Sequence, residues 1–215
     1  MIIHDVEQRT PEWLQLRLGI PTASEFRRII TTVKGDLSKS AKDYAYELVA
    51  ETLLSRPLET PFRNVFAMER GKLLEPQAVK QYEFSTRTQT RAVGFITTDD
   101  GRIGCSPDRL IIGERRGVEI KCCLDAGHMG LRIGGPDDDY RQQCQGIMAV
   151  AELESLDLYG WHPELPDVLI RKQRDEPYIA KMSAALREFL DLRDAMLAKE
   201  RASGFFAERA VKEAA

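Results

Sequence analysis

Two short segments hold the residue types that phosphodiester chemistry needs. One is Ser106-Pro107-Asp108; the other, after ten intervening residues, is Glu119-Ile120-Lys121. Side chains alternate along a strand. Val118, Ile120 and Cys122 therefore face one way, and Glu119 and Lys121 the other. That alternation puts a carboxylate beside an ammonium, and the hairpin between the segments returns Asp108 close to both. Pro107 marks an irregular or edge position. Two carboxylates and a lysine at a sheet end suit metal-assisted cleavage of a phosphodiester. Carboxylate oxygens hold hard Mg²⁺, and the metal polarises the phosphate and acidifies a water. The lysine can orient or deprotonate that water, or offset charge in the transition state. The same letters also fit a turn aspartate followed by the solvent-facing alternation of a half-buried strand, so the context has to decide.

The elements that must position these groups are read from periodicity. Thr10-Pro11-Glu12 predicts a helix start with Thr10 as N-cap, and Trp13, Leu14, Leu16 and Leu18 follow before Gly19 ends it. Thr22 to Glu25 opens a second helix carrying Phe26, Ile29 and Ile30. A third runs from Ser40 to Leu54, with Tyr44, Leu48 and Leu53 toward the core, and a fourth from about Asn64 to Phe84, with Pro76 as its point of bending. The period then changes to two. Ala92–Thr97, Arg102–Cys105, Arg109–Ile112 and Val118–Cys122 read as strands. Leu124 to Asp139, rich in Gly, Asp and Pro, is expected as a long functional loop. Tyr140–Ala151 returns to helix, Ser155–Trp161 and Asp167–Lys172 to strand, and Pro177–Ala202 closes as a helix with a Met182, Leu186, Phe189, Leu190, Met196, Leu197 stripe. Ser203 to Ala215 is expected as a short helix or frayed end. The order predicts one α/β domain over 1–215, with a mixed central sheet flanked by helices. It divides into a helical part over about 8–84, a catalytic sheet and helix over about 92–173, and C-terminal helices over about 177–215.

Composition limits the partners. Lys and Arg total 31 against 34 Asp and Glu, a net charge of -3, which excludes a generally basic nucleic-acid coat but not a local basic groove. The 43% apolar and 30% charged fractions exclude a disordered chain. No apolar run approaches the ~20 residues of a membrane span. Asp5, Glu7 and Arg9 interrupt the start before a signal-type hydrophobic region forms. Cys105, Cys122, Cys123 and Cys144 form no C-x-x-C pair and read as reduced thiols of a cytoplasmic protein. His4, His128 and His162 have no ligand spacing; His128, in the expected loop, is read as a satisfied polar histidine before a DNA contact.

Ser106-Pro107-Asp108 with Glu119-Ile120-Lys121 resembles the split PD-(D/E)-x-K nuclease motif, and in particular the lambda exonuclease family of phage recombination nucleases. Other segments match in order. Gln8-Arg9-Thr10-Pro11-Glu12-Trp13 with Arg17 is similar to the family's W-x-x-x-R opening, and Thr22-Ala23-Ser24 to its T-A-S segment. Met68-Glu69-Arg70-Gly71-Lys72 with Glu75 is similar to its G-K-x-x-E helix, and Tyr140, Gln143 and Gln145 to its Y-x-x-Q-x-Q helix. The likeness spans roughly 8–150, and five ordered motifs make chance unlikely where one would not.

The resemblance implies a restriction-endonuclease-like nuclease core and processive 5′-to-3′ digestion of duplex DNA, releasing 5′-mononucleotides and leaving 3′ single-stranded tails. It makes Asp108 the ligand shared by two Mg²⁺ ions, with Mn²⁺ as a substitute, and adds Glu119 and the Ile120 carbonyl to one site. Lys121 would position or activate the water, Glu75 would hold the water or the second metal's shell, and Gln143 with Tyr140 would place Lys121 and the scissile strand. Arg17, Ser24 and Ser106 would form a 5′-phosphate pocket, where guanidinium and hydroxyl donors suit phosphate. Lys34 falls by offset where the family has an arginine in that pocket, so charge is kept and the fork lost. Trp13 would stand near the DNA end, or serve as a core aromatic. Arg27, Arg28, Lys34, Lys39 and Lys42 form an early basic cluster facing the expected duplex or plain solvent. A homotrimeric ring and a single-strand annealing protein are the implied partners. Ring interfaces are expected at Leu58–Phe66 and the C-terminal helices. Two other readings stay open: a related endonuclease of restriction or repair type, and a non-catalytic DNA-end-binding scaffold.

Overall fold

The computed structural model describes residues 1–58, 62–134 and 140–205, with the backbone alone over 62–68. Helix α1 (Pro11–Arg17) starts as its letters predict: the Thr10 hydroxyl accepts from the Trp13 N–H at 3.3 Å, and Pro11 fills the first turn. It ends one residue before the expected Leu18, and Gly19 follows with φ +67, a conformation that strains a side chain. A single 3₁₀ turn (Ala23–Glu25) leads into the short α2 (Phe26–Ile29). Helix α3 (Ala41–Leu54) buries Tyr44 and Leu48, while Leu53 is only half-buried. Helix α4 (Phe62–Thr86) continues through Pro76.

The strands of the described residues form two sheets, where periodicity suggested one. A small antiparallel sheet has the order β1-β3-β4, from β1 (Ile2–His4), β3 (Phe95–Thr97) and β4 (Gly104–Cys105). Strand β1 is absent from the sequence reading: three residues carry too little alternation to be seen without their partner. The main sheet has the order β2-β5-β6-β7-β8 and is mixed. Its members are β2 (Thr90–Arg91), β5 (Arg109–Ile111), β6 (Arg116–Lys121), β7 (Ser155–Gly160) and β8 (Val168–Gln173). β6 and β7 run parallel, with Glu119 opposite Leu158, and the other pairs are antiparallel.

The expected long loop after β6 is corrected. Asp125–Ile133 is a helix, α5, and 135–139 lie outside the described residues. Its glycines argue for loop, but His128 and Leu131, one turn apart, are buried, and Asp125 and Arg132 sit at the ends the helix dipole favours. Helix α6 (Arg141–Val150) and helix α7 (Glu176–Arg201) follow the expected positions.

Each face of the main sheet packs on helices. On one face Val118, Ile120 and Tyr159 meet Ala78 and Tyr82 of α4. On the other, Leu156 and Leu158 join the larger core with Phe26, Ile147, Met148, Met182 and Phe189. Glu119 and Lys121 lie on this second side, toward α6, as alternation requires.

Candidate active site

Helix α6 meets the end of β6 through one amide. The Lys121 Nζ donates to Glu119 Oε1 at 2.8 Å and to Gln143 Oε1 at 2.9 Å. Gln143 Nε2 donates to the same Glu119 oxygen at 2.7 Å. The three side chains thus close a triangle in which each fixes the other two. A glycine also brings α6 close to the start of α2: a Cβ at Gly146 would lie 2.5 Å from the Phe26 ring and 3.2 Å from Ala23. One turn of α6 therefore presses directly on the segment that carries Ser24.

Asp108, just ahead of β5, reaches the same place. Its Oδ2 accepts from the Ile120 N–H at 2.6 Å, which locks the carboxylate across the hairpin. Burial, then repulsion from Glu119, pushes the Asp108 carboxyl well above its ordinary range, despite the Ile120 bond. Burial alone would lower the Lys121 ammonium; the charge of Glu119 and its direct hydrogen bond outweigh that and raise it. Lys121 is thus held as a cation. Glu119 Oε2 is buried, and none of the described residues hydrogen-bonds it. A surplus of buried negative charge and one bare carboxylate oxygen are what a hard divalent cation would relieve. Among the described residues no cluster of three or more His, Cys, Asp or Glu is placed to hold a metal ion. Carboxylate oxygens such as those of Asp108 and Glu119 suit a hard cation like Mg²⁺, which keeps several waters, better than Zn²⁺, which favours Cys and His.

Glu75 lines the same cavity of about 390 Å³ as Asp108, Glu119, Ile120, Lys121 and Gln143. It comes from α4 and is ion-paired to Arg9. Beside this lies the cluster expected to take phosphate. Ser106 Oγ accepts from Trp13 Nε1 at 3.1 Å and from Arg17 Nη1 at 3.3 Å. Arg17 Nη2 donates to Thr22 Oγ1 at 3.2 Å, and that hydroxyl is 3.2 Å from Ser24 Oγ. The Arg17 guanidinium lies 4.0 Å from the Trp13 ring centroid, and burial lowers its pKa, though a guanidinium stays charged. Trp13 is half-buried and spends its N–H on Ser106 and the Gly94 carbonyl, so it builds the pocket wall. Arg17, Ser24, Ser106, Glu119 and Gln143 line one common cavity.

Tyr140 stands over Lys121, whose Nζ is 4.8 Å from the ring centroid, and lines a cavity with Ser24, Arg27 and Gln143. Lys34 does not join the group: it is exposed on the turn after α2 and lines neither the phosphate cluster nor the carboxylate cavity. Residue offset across an irregular turn is a poor guide to direction. Of the early basic residues, Arg27 reaches the site, whereas Arg28 is engaged by Glu47 at 2.6 and 2.7 Å. The histidines stay apart from it. His128 is buried, bonded to the Pro166 carbonyl at 3.0 Å, and its ring is 5.5 Å from that of His162.

Several site residues escaped the sequence reading. Gln8 Nε2 donates to the Val93 and Pro107 carbonyls, and Arg9 pairs with Glu75; both stood in the quoted opening segment without a role. Arg70, from α4, donates to the Cys122 and Cys123 carbonyls at 2.6 and 2.8 Å and so pins the chain just past Lys121. A lone arginine beside a glycine carries no signal of that reach.

Comparison with known proteins supports the family resemblance. A family model described as the YqaJ-like viral recombinase domain matches residues 12–154. The solved structure of an alkaline exonuclease, LHK-Exo, from Laribacter hongkongensis matches with TM-score 0.78 and 27% identity, covering 96% of this chain and 100% of that one. LHK-Exo in complex with dAMP gives 0.79 and 28%, with the same coverage. A phage related exonuclease from Haemophilus somnus 129PT shares the fold, at TM-score 0.68 and 16% identity, covering 84% and 96% of the two chains. No curated protein matches.

Proposed function

The chain belongs to the YqaJ-like viral recombinase domain family, which is of lambda exonuclease type, and from that membership we propose that it is a DNA exonuclease of recombination that digests one strand of duplex DNA from a 5′-phosphorylated end. One observation carries the reading: the phosphate-type cluster of Arg17, Ser24 and Ser106 lines a single cavity with Glu119 and Gln143. A terminal phosphate seated in that cluster lies beside the carboxylates, an arrangement suited to cutting at ends.

Asp108, Glu119 and the Ile120 carbonyl are the groups that would hold Mg²⁺, two ions in the family's manner, with Mn²⁺ as substitute. When bound, the metal supplies Lewis acidity toward the phosphate and lowers the pKa of a water. The chain's own groups do the rest. Gln143 fixes Lys121 against Glu119, so the ammonium waits at a set point to offset charge as the phosphate is attacked. Glu75 faces the same cavity and can orient the attacking water. Arg17 and the Ser24 and Ser106 hydroxyls fix the strand by its end, so that one nucleotide leaves per cut as a 5′-mononucleotide and a 3′ tail remains. We further read the protein as a cytoplasmic homotrimer encircling the duplex, which gives processivity, with a single-strand annealing protein taking the tail. Part of the Leu58–Phe66 segment expected at the ring interface lies outside the described residues. Among the described residues no helix is long and apolar enough to cross a membrane.

The test is a linear duplex labelled at one 5′ end, with and without its phosphate, beside a covalently closed circle, in Mg²⁺ and in chelator. Mg²⁺-dependent release from phosphorylated ends, an intact circle and loss of release in Lys121→Ala are expected. A cut circle would mean an endonuclease. Ends bound but uncut in any metal would mean a scaffold.

A further inference from the structure

Among the described residues, one cation lines both the carboxylate cavity and the phosphate cluster: Arg9. It sits between Glu75, its ion-pair partner at 2.5 Å, and the cluster that contains Arg17 and Ser106. We propose that Arg9 is a specificity-determining residue for the 5′-terminal phosphate, its guanidinium shared between that phosphate and Glu75, so that occupation of the pocket and placement of Glu75 are coupled. The inference rests on the end-directed reading above and deepens it.

The charge of the ligand calls for a second cation. A terminal phosphate monoester carries about −1.5 to −2 at neutral pH, whereas a phosphodiester inside the strand carries a single charge. Arg17 alone balances the diester, and its guanidinium already donates to Ser106 and Thr22. Lys34, the cation expected by offset, is elsewhere. Arg9 is free to answer because its side chain is 42% exposed and that of Glu75 is 24% exposed. An ion pair that wet is weak and exchanges partners cheaply. The planar fork can also hold a carboxylate on one edge and a phosphate oxygen on the other.

The backbone is arranged to aim the side chain. Arg9 has φ +71, a left-handed conformation that a residue with a Cβ seldom adopts. The preceding residue is anchored, since Gln8 Nε2 donates to the Val93 carbonyl at 2.8 Å and to that of Pro107 at 3.1 Å. Pro107 adjoins Asp108, so the same anchor ties Arg9 to the carboxylate site. Backbone strain held by neighbouring bonds gathers where a side chain must be directed.

The experiment compares short duplexes bearing a 5′-phosphate or a 5′-hydroxyl, using wild type, Arg9→Ala and Arg9→Lys. Binding is read by fluorescence anisotropy in chelator, and kcat and KM for digestion are read in Mg²⁺. Wild type should favour the phosphorylated end. Arg9→Ala should lose about tenfold of that preference, its binding of the phosphorylated end falling more than its binding of the hydroxyl end. Arg9→Lys should regain part of it, and the loss in digestion should fall on phosphorylated ends. If Arg9→Ala keeps the wild-type preference and slows both substrates equally, Arg9 only buttresses Glu75 and the proposal is wrong. A wild type that shows no preference overturns the end-directed reading itself, and this inference with it.

Discussion

Gln143 is a neutral side chain placed between two charges: its oxygen faces the Lys121 ammonium and its nitrogen faces Glu119. An amide satisfies both at once because it carries an acceptor and donors, whereas a carboxylate would repel Glu119 and an ammonium would repel Lys121. Gln143→Leu keeps the volume and removes both bonds. Because such outer partners orient the groups that do the chemistry, the change should lower Mg²⁺-dependent digestion, or Mn²⁺ affinity measured by calorimetry, about 10–100-fold. The melting temperature should move little by comparison. Unchanged digestion and metal affinity would remove Gln143 from the machinery.

Elements place these residues by their ends. Helix α7 is capped by Asp175, whose carboxylate accepts from the Tyr178 N–H at 3.1 Å and from Arg141 of α6 at 2.8 Å. One carboxylate thus starts the last helix and ties it to the helix that bears Gln143. The Tyr178 bond, then Arg141, holds the Asp175 carboxyl below its ordinary range. A depressed folded-state pKa gives stability that is present above the unfolded value, near 3.9, and lost as pH falls through the folded one. Asp175→Ala should therefore cost about 1 kcal/mol at pH 7, as removal of a cap does. Urea denaturation of the two proteins should show that gap narrowing as pH is taken below about 4. A gap constant with pH would mean the loss is one of packing alone.

Over the whole molecule the charge is -3, yet Arg9, Arg17, Arg27 and Lys121 gather around connected cavities on one side. Acidic residues elsewhere discourage contact away from these cations, while Glu75, Asp108 and Glu119 among them offset part of their charge, so the pull on DNA is local and modest. DNA binding should then depend on salt only as strongly as a few contacts allow. Four phosphates neutralised per bound end give a slope of about −3 to −4 for log affinity against log salt, measured in chelator with short duplexes. A slope near zero would mean that these four cations do not meet phosphate. A steeper slope would mean that the other copies in the proposed ring add phosphate contacts to the four made at one site.

What the sequence determined by itself is local. Thr10-Pro11 starts a helix because a hydroxyl cap and a proline act within one turn. Glu119 and Lys121 share a face because strand side chains alternate, and the order of five motifs points to a nuclease. Tertiary structure decided the rest. Strand β1 exists because Ile2–His4 pairs with residues more than ninety positions later, and three residues have no stability as a strand alone. Helix α5 forms over glycines because burying His128 and Leu131 outweighs their propensity. Arg9 meets Glu75 across 66 positions of chain, while Lys34, ten residues from Ser24, turns away from it. A contact between distant segments is fixed by how whole elements pack, and no window of neighbouring letters contains that information.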